Sequence, residues 1–89
     1  MMLDRVLELN LKLRSLARMA LYEGYDEDLL EEFSEVLKEI YEEIGSPDKA
    51  NAGDILRAEP KLGLKMILTN LSEDLSDFLY KRIGSEWDL

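Results

Sequence analysis

The chain has 89 residues, no Cys, no His and a net charge of -9, with 46% hydrophobic and 35% charged residues. Such a length fits one domain with a small core, and the missing Cys and His exclude disulfides, thiolate metal sites and histidine chemistry, leaving carboxylates, Lys, Tyr or a hard metal ion for any catalysis. The acidic balance argues against nucleic acid and anionic membranes as partners, because both are engaged mainly through Lys and Arg.

Residues 2 to 22 predict a first helix. Met2, Val6, Leu9, Leu13, Leu16 and Ala20 recur at helical spacing and define one face. Leu3, Leu7 and Leu11 widen the apolar arc to roughly 240° at about 100° per residue, more than one contact requires. This helix is therefore either central to a bundle or half of a dimer interface. Asn10 lies near the edge of the stripe, where a wet, peripheral amide is expected; a buried one would specify register or oligomeric state. Gly24 suits the left-handed position that ends many helices.

A second helix is expected over residues 26 to 44. Asp26 is its N-cap, Tyr25 and Leu30 stand as a hydrophobic staple, and Glu27 and Asp28 meet the positive end of the helix dipole. Its core stripe reads Leu29, Leu30, Phe33, Val36, Leu37, Ile40, Tyr41 and Ile44, and Gly45 ends it. The linker between the two helices is short enough to force an antiparallel hairpin.

Residues 47 to 58 predict one or two short helical turns, with Ser46 and Pro47 as N-cap and first residue and Asp54 as a further cap before Ile55 and Leu56. Pro60 pushes Glu59 out of the helical region and opens a third helix, residues 60 to 83, carrying Leu64, Ile67, Leu68, Leu71, Leu75, Phe78, Leu79 and Ile83. Lys81 and Arg82 fall in its last turn, Gly84 is its expected stop, and residues 84 to 89 form a short acidic tail with the only Trp. The pattern predicts an all-α fold, a small bundle of three long helices in a single domain spanning residues 1 to 89.

Charge is unevenly divided: residues 1 to 22 hold four bases and two acids, residues 23 to 45 one base and ten acids, and the remainder six bases and eight acids. In an antiparallel hairpin, Arg14 and Arg18 are expected near Glu27, Glu31 and Glu35. At the other end, Glu39, Glu42 and Glu43 crowd the negative end of the helix dipole, where cations belong, unless Lys49, Arg57 or solvent relieves them. Leu3, Leu7, Leu11, Glu39, Glu42, Glu43 and Trp87 are accordingly the candidate partner-binding residues. Trp87 and Leu89 either pack back over the bundle or dock in a partner's groove.

Two further stretches carry carboxylates at helical spacing, EEFSE from Glu31 to Glu35 and EDLSD from Glu73 to Asp77. The pair resembles the acidic motifs of the MazG-like all-helical nucleotide pyrophosphohydrolases, with the second motif reading D-x-x-D where the family has E-x-x-D. The resemblance implies Glu32, Glu35, Asp74 and Asp77 as ligands of Mg²⁺, with a metal-bound water as nucleophile.

Set against that enzyme, the reading that composition and periodicity favour is a small acidic interaction module, an adaptor or regulator without cofactor or catalytic residue. Its expected partners are proteins: a second copy of itself, and a basic surface met by the second helix. A third possibility, mimicry of nucleic acid by the carboxylate row, is poorly served by a single helix. The first twenty residues contain no apolar run long enough for a signal peptide or membrane span, so a soluble, cytoplasmic chain is expected. Absence of Cys, His and Gln beside abundant Glu and Leu resembles the composition of proteins from thermophiles.

Overall fold

A computed structural model describes residues 2–50, 56 and 58–87. Its long elements are α1 (Met2–Glu23), α2 (Glu27–Glu43) and α3 (Pro60–Trp87), with a 3-10 turn at Pro47–Ala50 and helical backbone at Leu56 and Ala58 before α3. No strand occurs among the described residues, so the fold is the expected all-α bundle of three long helices with a short turn before the third. The side chains of Met2, Leu3, Ile83 and Trp87, and residues Asp54, Ile55, Arg57 and Leu89, lie outside the described residues.

The ends of the hairpin form as the local chemistry dictates. Asp26 is extended and its carboxylate accepts from the Leu29 amide at 2.7 Å, satisfying one of the free donors at the start of α2. Gly24 (φ 102°) and Gly45 (φ 84°) take the left-handed conformation that side chains with a Cβ disfavour. At Gly24 one amide closes α1 onto the Ala20 carbonyl at 3.2 Å. After α2 the Gly45 amide donates to Glu42 and the Ser46 amide to Tyr41, the paired bonds of a Schellman ending.

α1 and α2 make the most extensive helix pairing. Their register is visible in two ion pairs, Arg5 with Glu39 at 3.4 Å and Lys12 with Glu32 at 3.9 Å. Each pair of numbers adds to 44, as an antiparallel pairing requires. Arg14 does not join the expected Glu27–Glu35 group. It lies two residues, or about 200°, beyond Lys12 around the cylinder, faces α3 and reaches the Ser72 hydroxyl at 3.2 Å.

The core is formed by Val6, Leu9, Leu13, Leu16, Ala17 and Ala20 of α1, Phe33, Val36, Leu37, Ile40 and Tyr41 of α2, and Leu64, Ile67, Leu71 and Leu75 of α3. Tyr25, Leu29, Leu30, Ile44, Leu68 and Phe78 pack against its edges, and Leu56 is fully buried, so the connection before α3 contributes to the core as well. α3 reaches α1 through the Arg14–Ser72 hydrogen bond and α2 through Tyr41–Asp74, and its Leu64, Ile67, Leu71 and Leu75 belong to the same core cluster.

α3 differs from expectation at its far end. It runs through Gly84 to Trp87, so residues 84–87 are helix and Lys81 and Arg82 are interior. A helical glycine costs only about 1 kcal/mol relative to Ala, and Ser-Glu-Trp after it contains no proline to forbid further helical bonds. At about 1.5 Å per residue, α3 is about 42 Å long, close to the 48 Å long axis of the molecule.

Candidate functional site

Three features stand apart from ordinary packing: a polar junction beneath α3, the carboxylate face of α2, and an uncovered apolar face on α1.

The junction is centred on Asp74. The Tyr41 hydroxyl donates to its Oδ2 at 2.6 Å, and the Lys49 ammonium donates to Oδ1 at 3.4 Å. One carboxylate thus ties α3 to both α2 and the 3-10 turn. Burial, then the hydrogen bond to Asp74 and that carboxylate's charge, push the Tyr41 hydroxyl well above its ordinary range, so it stays a neutral donor. The periodicity of α2 places Tyr41 in the core stripe but specifies no partner for its hydroxyl. The available signal was the phenol itself, because a buried Tyr hydroxyl usually finds a partner. The Tyr25 hydroxyl and the Asn10 amide oxygen are counterexamples: both are buried without a partner among the described residues. Asn10 is half-buried rather than wet.

On α2, Glu31, Glu35 and Glu42 occupy the face opposite Phe33 and Ile40 and are exposed. Glu39 and Glu32 turn toward α1 and are engaged by Arg5 and Lys12. Relief at the end of α2 therefore comes from Arg5, whereas Lys49 is committed to Asp74. Glu43 is half-buried and Glu42 exposed. Of the three acidic residues singled out there, Glu42 alone stands in the middle of the outward row.

The four carboxylates implied by the pyrophosphohydrolase resemblance are dispersed. Asp74 contacts Tyr41, which lies six residues beyond Glu35, about 9 Å along α2 and about 120° around it. Glu32 lies a further three residues away, paired with Lys12. Asp77 borders a shallow surface depression formed with Ser72, Glu73 and Ser76, all from α3. Among the described residues, no three acidic side chains come together in a way that would hold a metal ion.

The face of α1 opposite its core stripe carries Asp4, Leu7, Leu11, Arg18 and Tyr22. Leu7 is 47% and Leu11 70% exposed, so neither α2 nor α3 covers the wide arc that the sequence predicts. Leu62, Met66 and Tyr80 are also exposed, on the outer side of α3. Exposed leucines are ordinary singly, but here they lie one turn apart on one helix face.

The chain matches no protein-family model, no curated protein and no solved structure. Its functional reading therefore rests on these surfaces. Among the described residues, no helix is long and apolar enough to cross a membrane.

Proposed function

We propose that this chain is a small acidic protein-interaction module, an adaptor or regulator, that acts as a homodimer. The observation that carries the reading is the uncovered apolar face of α1, with Leu7 and Leu11 turned away from the core. A domain of this size buries a modest share of its surface, and covering such a face by a second copy adds the burial that the chain lacks. The carboxylates Glu31, Glu35 and Glu42 give α2 a second, polar surface suited to a basic protein. Absence of Cys is compatible with a reducing compartment such as the cytoplasm.

The test is the molecular mass in solution. Light scattering across the micromolar range is expected to give a dimer that dissociates on dilution. A mass fixed at that of the monomer over the whole range would overturn the homodimer.

A further inference from the structure

We infer that two copies pair through α1 in an antiparallel, two-fold contact centred on Leu11, with Asp4 of each copy facing Arg18 of the partner subunit. The inference rests on the homodimer reading above and specifies its surface, direction and register.

Asp4, Leu11 and Arg18 are spaced seven residues apart. Two helical turns separate successive members, so the three drift by only about 20° per step and form one line along α1. That line lies opposite the buried Val6, Leu9, Leu13 and Leu16, and all three of its side chains are exposed. Leu7 flanks it one turn before Leu11, and Tyr22, 84% exposed, follows Arg18.

Charge decides the direction. A parallel pairing would set Asp4 against Asp4 and Arg18 against Arg18, two like-charge contacts around the leucines. An antiparallel pairing about Leu11 sets residue 11 - n against 11 + n of the second copy, so both ends of the seam carry opposite charges. Leu11 then meets its own counterpart on the two-fold axis, and Leu7 packs beside it. Among the described residues, neither Asp4 nor Arg18 has an ion-pair partner in its own chain, whereas Arg5 and Lys12, on the α2 side of the same helix, do. The arrangement is self-complementary and closes on itself, as a two-fold dimer must.

The competing surface on the hairpin is the outer row of α2. Glu31, Glu35 and Glu42 offer it no apolar centre, and two such rows repel. One helix against one helix covers less than the ~800 Å² per partner of a standard interface, so association belongs in the micromolar range.

The natural absence of Cys makes the register directly measurable, because a single introduced thiol has only its own copy to pair with. Leu11→Cys and, as control, Glu35→Cys on the exposed face of α2 are oxidised under native conditions beside a mass measurement on the wild type. Disulfide formation needs the two Cα atoms within about 7 Å, which the two-fold position supplies and the α2 face does not. The expected result is a dimeric wild type and cross-linking of Leu11→Cys at least tenfold faster than the control. Asp4→Arg or Arg18→Asp alone is expected to weaken the wild-type dimer roughly tenfold, and the two together to restore it, the pattern of two exposed ion pairs at about 0.5 to 1 kcal/mol each.

A dimeric wild type in which Leu11→Cys cross-links no faster than Glu35→Cys overturns the α1 register and leaves the homodimer standing. Indifference of the dimer to both single reversals overturns the Asp4 to Arg18 pairing. Saturation of Leu7 and Leu11 by an amphipathic helix from another protein would present as a monomeric wild type, and that result overturns both the register and the homodimer.

Discussion

In the α1–α2 hairpin both turns are closed by hydrogen bonds between residues at most five positions apart, whereas α3 is located by contacts to residues at least twenty-five positions away. Gly24, Asp26 and Gly45 set the hairpin's ends without reference to the rest of the molecule. The position of α3 depends instead on burial of Leu64, Ile67, Leu71 and Leu75 in the common core, on Arg14 reaching Ser72, and on Asp74 receiving Tyr41 and Lys49. Local chemistry decides where a helix starts and stops; only tertiary partners decide where it lies. The hairpin should therefore form as a unit and α3 should be the first element to open, a difference in local stability of the kind that hydrogen exchange resolves.

Core truncation tests this comparison with the largest expected effect. Ile40 and Leu13 are completely buried, and replacing either by Ala should cost about 2 to 5 kcal/mol, a large part of the roughly 5 to 13 kcal/mol expected for a domain of this size. Leu71→Ala should cost a similar amount in chemical denaturation. The two classes should separate in native-state hydrogen exchange: Ile40→Ala accelerates exchange throughout, and Leu71→Ala accelerates it in α3 before the hairpin. Equal acceleration everywhere in both variants would show that the bundle opens as one unit.

The Asp74 junction should give the next largest effect. Asp74→Ala leaves the Tyr41 hydroxyl buried without its acceptor, at a cost of about 1 to 3 kcal/mol, or roughly 4 to 20 °C in thermal midpoint. The pH dependence has a definite sign. Because the folded chain holds the Tyr41 proton more tightly than the unfolded chain, this contribution is complete below the ordinary tyrosine value of about 10 and is lost as pH rises through and above it. A denaturation series should therefore show alkaline destabilisation that Tyr41→Phe reduces; the same slope in both proteins would remove the junction from the account.

Arg5→Ala and Lys12→Ala should have the smallest effects, no more than about 1 kcal/mol each, and these should shrink further in high salt. They fix which residues of α1 and α2 face one another more than they hold the helices together.

Much of the fold was legible in the sequence because it is written in short-range chemistry. The periodicity of Val6, Leu9, Leu13 and Leu16, the Asp26 cap, the two left-handed glycines and the start of α3 at Pro60 follow from spacing and backbone preference. The overrun of α3 past Gly84 was not legible, since a glycine marks a helix end only when the residues beyond it leave the helical conformation. Nor was the partner of Arg14. Choosing between Glu27 and Ser72 required knowing which side of α1 each neighbouring helix occupies, and that is set by the packing of the whole bundle.

The surfaces were legible unequally. The excess width of the apolar arc on α1 points to Leu3, Leu7 and Leu11 from spacing alone, and the structure leaves Leu7 and Leu11 uncovered. For α2, charge counting along the chain did not distinguish Glu39, which Arg5 engages, from Glu42, which faces solvent. Asp74 illustrates the same limit. The pyrophosphohydrolase resemblance implies a metal ligand there, while its position against Tyr41 makes it the joint between α3 and the hairpin.

The central claim, that the outward face of α1 joins two copies, is tested most directly by sedimentation velocity on the wild type and Leu11→Glu across the micromolar range. Because Leu11 lies outside the core, the variant should keep its helical content and thermal midpoint at low concentration. The account predicts a concentration-dependent dimer for the wild type and a monomer at every concentration for Leu11→Glu, since a dimer would bring two carboxylates together on its axis. Identical sedimentation of the two proteins would contradict it.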